Sequence, residues 1–320
     1  MVLTHGAVVL SLAVLADGRL ASGGQDGKIK LWPKDGTGEP VVLTHGAVVL
    51  SLAVLADGRL ASGSGDGTIK LWPKDGTGEP VVLTHGTAVR SLVVLADGRL
   101  ASGGHDGTIK LWPKDGTGEP VVLTHGAEVS ALAMLADGRL VSGDYDGTIK
   151  LWPKDGTGEP VVLTHGAAVL SLAVLADGRL ASGGQDGKIK LWPKEGTGEP
   201  VVLTHGAAVL SLAVLADGRL ASGGVDGKIK LWPKEGMSEP VVLPHGAAVG
   251  SLAVLANGRS ASGGGDGTIK LWLVEEQKLV TALCLRAGRN LTKAEWARYI
   301  GSDTRQPSCR GLPSNWRTPD

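Results

Sequence analysis

A forty-residue unit occurs seven times in succession, and this period constrains the fold more than any property of composition. The units start at residues 1, 41, 81, 121, 161, 201 and 241, and a forty-residue tail completes the 320-residue chain. The copies are close to identical. The first and fifth differ only at Met1/Val161, Val8/Ala168 and Asp35/Glu195.

Each copy divides into four short strand signals. In the first, VVLTHG-like residues open the unit and AVVLSLAVLA follows, stopped by Asp17-Gly18. That dipeptide supplies the positive φ of a tight hairpin turn. RLASGG is a third strand, Gln25-Asp26-Gly27 turns it, and KIKLWP is the fourth. No segment inside a copy carries a helical period long enough to compete. Four strands per unit with glycine-rich turns predict an all-β, seven-bladed β-propeller of four-stranded antiparallel blades, because stacked blades bury faces that a lone blade leaves wet. The propeller is expected over 1–284, and a short, partly helical tail over 285–320. Pro40, Pro80 and their equivalents mark an outer edge strand, where a missing N–H discourages pairing with another chain.

Composition narrows the function classes. Lys plus Arg equals Asp plus Glu at 32 each, which argues against nucleic acid or a membrane surface as partner. Two cysteines, Cys284 and Cys309, are too few for a disulfide scaffold, and whether they pair is left open. The apolar run Ala7 to Ala16 is too short for a membrane span, and no basic residue precedes it as in a signal peptide. A cytoplasmic location is the expectation.

A polar quartet recurs in every copy: His5, Ser22, Asp26 and Trp32; His45, Ser62, Asp66 and Trp72; His85, Ser102, Asp106 and Trp112; His125, Ser142, Asp146 and Trp152; His165, Ser182, Asp186 and Trp192; His205, Ser222, Asp226 and Trp232; His245, Ser262, Asp266 and Trp272. Donors and acceptors close if the indole bonds the serine, the serine the imidazole and the imidazole the aspartate. Ser, His and Asp together suggest a hydrolase triad, but seven equal copies offer no unique environment and no oxyanion hole is apparent. The histidines are expected to stand too far apart to share a metal. No catalytic residue, metal ligand or cofactor is expected, and a propeller enzyme or channel-bound metal is the remote alternative.

With H…V…DGRLASG…D…IKLW repeated to about residue 284, the chain resembles the WD-repeat propeller family, with its structural tetrad at the family's spacing. Two departures stand out: the family's Gly-His appears as Thr4-His5-Gly6, and its Trp-Asp as Trp32-Pro33. The near-identity of copies resembles recently amplified bacterial members. The resemblance implies a non-catalytic protein–protein interaction scaffold or sensor module. An architectural propeller without a dedicated partner is the alternative.

Three repeat positions vary freely: the third and fifth residues after the tetrad histidine, and the residue before the tetrad aspartate. Topology puts them at one mouth of the central channel, and residues 8 and 10 share strand parity, so they are expected to point the same way. In the WD-repeat family this face usually meets partners. Arg90, His105, Glu128, Ser130, Asp144 and Tyr145 replace bland equivalents there, beside an apolar collar of Val8, Leu10, Leu50, Leu170, Leu210 and Val225. An aromatic and charges beside an apolar patch suit a binding hot spot for an unidentified protein or peptide; drift on a tolerant surface is the other reading. Lys28 and its Thr68 counterpart are taken as surface residues.

The ends leave one slot with two candidates. Residues 279–283 or Val2 to Thr4 can complete blade seven, and the C-terminal strand is favoured because it connects without crossing the ring. In the tail, Thr292-Lys-Ala-Glu295 is a capping box before Trp296, Tyr299 and Ile300, predicting a short helix near 293–300. RAGRNLTKAEWARYIG…CRGLP resembles the tail of bacterial signalling WD-repeat proteins; no GxxxxGK[ST] loop is present, so any nucleotide-binding domain is missing or separate. The chain is expected to be monomeric, with blade exchange between near-identical copies as a hazard.

Overall fold

The computed structural model describes residues 1–274 apart from 155–157, 195, 197, 235–238 and 256–257. The helix expected near 293–300, residues 279–283 and both cysteines lie outside the described residues. Twenty-eight strands form seven four-stranded antiparallel sheets, and no helix occurs among the described residues. The first blade orders β2 (Val9–Val14), β3 (Leu20–Gly24), β4 (Lys28–Trp32) and β5 (Val41–Thr44), so its outer strand comes from the next copy.

The same device closes the ring. Blade seven orders β26 (Val249–Val254), β27 (Arg259–Gly264), β28 (Thr268–Leu273) and then β1 (Val2–Thr4). The expectation of a C-terminal closing strand is therefore corrected: the N-terminus occupies the slot. The register explains the choice. Leu3 faces Ile269 as Leu43 faces Ile29, and both leucines are buried. Leu271 N–H donates to Met1 O at 2.9 Å and His5 N–H to Gly267 O at 2.8 Å.

The core lies between blades. Leu15, Ala21, Ile29, Leu31 and Leu43 of blade one pack on Val49, Leu52, Leu60 and Trp72 of blade two. Gly23 permits this approach, since a Cβ there would stand 2.5 Å from Val49 Cγ1. Serine hydroxyls stitch the inner strands: Leu52 N–H donates to Ser11 Oγ at 2.9 Å and Leu92 N–H to Ser51 Oγ at 3.0 Å.

Each inner strand carries a bulge between its first and third residues, as between Val9 and Ser11. The parity argument for residues 8 and 10 fails there. Val9 and Leu12, three apart, both meet a Cβ built on Gly263 of the preceding blade, which strict alternation forbids. Leu10 is the bulged residue.

Candidate functional site

The recurrent quartet forms a complete hydrogen-bonded chain in blades one and six, at the loop end of the blade. Trp32 Nε1–H donates to Ser22 Oγ at 2.8 Å, and Ser22 Oγ lies 2.8 Å from His5 Nδ1. His5 Nε2 reaches Asp26 Oδ1 at 3.4 Å. The indole can only donate, so the serine hydroxyl donates to Nδ1 and the imidazole carries its proton on Nε2. Burial holds these histidines neutral by pushing their pKa down, to about 4 for His45 despite Asp66 nearby.

In three of the four blades whose fourth strand starts with threonine, the chain gains a member. His45 Nε2 meets Thr68 Oγ1 at 2.9 Å, and Thr68 Oγ1 donates to Asp66 Oδ1 at 2.7 Å. Thr108 does the same between His85 and Asp106 at 3.2 and 2.8 Å. The reading of this position as plain surface is thus corrected for blades two, three and seven, where the threonine hydroxyl relays histidine to aspartate; Thr148 of blade four does not. Hydrogen bonds from the Thr68 hydroxyl and amide, against an opposing push from burial, hold the Asp66 carboxyl below the usual range.

Two of the variable positions are coupled through the backbone. Gln25 N–H donates to Val8 O at 3.0 Å, and His45 N–H donates to Gly27 O at 2.8 Å across to the next copy. The two loops of each blade therefore lie together at this end.

At blades three and four the substituted side chains form a network across the blade junction. Arg90 Nε–H donates to Glu128 Oε1 at 2.6 Å, and His105 Nδ1 stands 2.7 Å from Glu128 Oε2. Tyr145 N–H donates to Glu128 O at 3.1 Å, and its side chain is exposed. Leu10, Leu50, Leu170 and Leu210 are half-buried, while Val225 is exposed.

Of the candidate partner residues, Asp144 is withdrawn from this surface, and half-buried Ser130 commits its hydroxyl to backbone carbonyls. Asp144 is 3% exposed, with Oδ2 3.0 Å from His125 Nδ1 and Oδ1 accepting the Thr148 N–H at 2.7 Å. Ser130 turns its hydroxyl to Gly143 O at 3.1 Å and to Val169 O of blade five. Its neighbour Ala131 lacks the hydroxyl that Ser11 supplies in blade one, so Ser130 takes over a link between blades. A third correction concerns Asp146. It is exposed and stands outside the blade-four tetrad, whose histidine faces Asp144 instead. His125 Nε2 now lies 3.4 Å from Ser142 O, and only the Trp152–Ser142 bond, 2.7 Å, survives unchanged.

The family model described as WD domain, G-beta repeat matches residues 1–33, 38–73, 78–113, 118–153, 158–193, 198–233 and 239–272. The chain belongs to the WD-repeat family. No curated protein matches it. Among solved structures it is similar to the WD40 beta propeller domain of Doa1, with a TM-score of 0.77 and 28% identity over 86% of this chain and 96% of that one. WD-repeat propellers generally mediate protein–protein interaction or scaffolding and are typically non-catalytic.

In this WD-repeat chain two residues with consequences for the face escaped the sequence reading: Asp146 and the threonine of the relay. Signals existed for both. Asp144 stands where five copies have glycine, and a Cβ on Gly24 would lie 2.3 Å from His5 Nε2, so any side chain there must rearrange the tetrad. Threonine in place of Lys28 brings a hydroxyl within reach of the imidazole.

Proposed function

We propose that this WD-repeat propeller is a non-catalytic protein-binding platform whose recognition site is the loop face of blades three and four. The observation that carries this reading is the Arg90–Glu128–His105 network beside exposed Tyr145. Charged and aromatic substitutions concentrate at one junction, on a face whose other copies carry only Ala, Val, Leu, Gly or Gln at the variable positions. Such a feature supports one oriented contact rather than seven equivalent ones. The half-buried leucines supply apolar contact beside it. The module is taken to work in the cytoplasm, and the tail's resemblance to signalling WD-repeat proteins supports a sensor role.

The test compares partners captured from source-cell lysate by this chain and by the variant Arg90→Leu, His105→Gln, Glu128→Val and Tyr145→Gln, which carries first-copy residues. Loss of a partner in the variant supports the reading, and an unchanged partner set overturns it. An architectural propeller without a dedicated partner is the second reading, favoured by the near-identity of copies one and five. It expects no specific capture by either form.

A further inference from the structure

Blade four contains an exchange of carboxylates found in no other blade. Elsewhere the turn aspartate accepts the N–H of the residue that opens the next strand: Lys28 to Asp26 at 3.1 Å, Thr68 to Asp66 at 2.9 Å, Lys188 to Asp186 at 3.0 Å. In blade four that N–H, from Thr148, goes to Asp144. Asp146 is exposed and has no hydrogen-bond or ion-pair partner among the described residues.

The charge around Asp146 is unbalanced. In blades five and six a lysine stands by the turn aspartate, with Lys188 Nζ 3.8 Å from Asp186 and Lys228 Nζ 3.5 Å from Asp226. Blade four has Thr148 at that place. Lys150, further along the strand, turns its Nζ to His125 O at 2.7 Å and over the Trp152 ring. The positive group across the junction is already matched, because Arg90 bonds one oxygen of Glu128 while the His105 ring stands against the other. The unmatched groups are acceptors: the Asp146 carboxylate and the exposed ring of Tyr145, next to it in the same turn.

We propose that the blade-four turn is an acceptor site for an arginine or lysine side chain of a partner segment, held by the Asp146 carboxylate and the Tyr145 ring. A guanidinium suits both surfaces, forking onto a carboxylate and stacking on an aromatic face. The exchange with Asp144 makes the site, since Asp144 takes the Thr148 amide and the place beside His125 and leaves Asp146 without a partner among the described residues. This inference rests on the reading of the loop face as a recognition surface and names the chemistry of its partner as basic.

The test uses the full chain with ¹³C-labelled tyrosine. Tyr145 and Tyr299 are its two tyrosines, and Tyr145→Phe assigns the signals. The probes are capped Gly/Ser peptides carrying either two arginines or two glutamates, titrated to millimolar concentration. A saturable shift at Tyr145 with the arginine peptide is expected, weakened about five- to tenfold in Asp146→Asn, which changes an exposed residue. Gln185→Tyr, which places the ring beside the engaged Asp186, is expected not to create a second site. The proposal is overturned if the arginine peptide leaves Tyr145 unmoved, if Asp146→Asn binds it equally well, or if the glutamate peptide shifts Tyr145 instead. If the peptide fails while the first-copy variant still loses its partners, the recognition face stands and the basic chemistry falls.

Discussion

A Cβ at the last residue of the third strand has no room beside the tetrad histidine, and the two copies that carry one show two ways out. In blade two, Ser64 replaces glycine, the His45–Asp66 distance opens to 4.0 Å, and Thr68 fills the gap. In blade four, Asp144 takes the aspartate's place with a buried carboxylate whose approach to His125 Nδ1 is short but poorly aligned. A buried pair of this kind contributes little net stability. Asp144→Gly should return Asp146 to the Thr148 amide and stabilise the fold by about 1 kcal/mol after the entropy cost of glycine. Urea unfolding measures it, and a clear loss of stability would show that the Asp144 pair is favourable. Ser260 gives a second prediction. It replaces the leucine of other copies, leaves its buried hydroxyl unpaired and adjoins a small apolar void lined by Leu231, Leu252 and Trp272. Ser260→Leu should stabilise by about 1–3 kcal/mol, seen as a higher denaturant midpoint at unchanged slope; no gain would mean that the void has already collapsed. The sequence displays all these substitutions, and the tetrad spacing is plain in it. It does not display that Asp144 points inward, because this depends on the ring of His125, nineteen residues away.

At the scale of the strand, what decides closure is shared register rather than connection. β1 has three residues where β5 has four, yet Leu3 and Leu43 occupy equivalent places opposite an isoleucine. The favoured closure by residues 279–283 weighed the path of the chain; the structure follows the match of VLT to the outer strands of copies two to six. The turns and strand count were legible because glycine pairs and apolar runs recur on a fixed period. The inner-strand bulge was not, since Val9 and Leu10 lie in a near-continuous apolar run that marks no break in period. Removing residues 1–4 should expose the edge of β28. Amide exchange at Leu271, protected by Met1 O in the intact chain, should then approach the rate of an open edge, and thermal stability should fall. Retained protection at Leu271 would show that another segment takes the slot.

The whole ring shares one acid-sensitive element, because the same buried histidine occurs in every blade. Each of the seven has its pKa pushed down by burial, from 6.5 to about 4 in His45. An unfolded chain protonates these imidazoles as pH falls through 6.5, whereas the folded chain does so only at lower pH. Below 6.5 the unfolded state therefore binds more protons, and stability falls with pH by up to about 1.4 kcal/mol per unit for each histidine. The turn aspartates act later: Asp66, Asp106, Asp226 and Asp266 sit below their usual value, so their contribution persists to about 3.8 and is lost beneath it. Denaturant midpoints should thus stay flat above neutrality and drop steeply between 6.5 and about 4, with several protons taken up per molecule unfolded. Replacing one histidine by glutamine should shallow that slope by about one proton while lowering stability at neutral pH, since glutamine cannot repeat both ring contacts. A midpoint that stays level across this window would mean that the histidines titrate equally in both states. The imidazoles would then be as well hydrated in the ring as in the unfolded chain, against the burial that the packing around them gives.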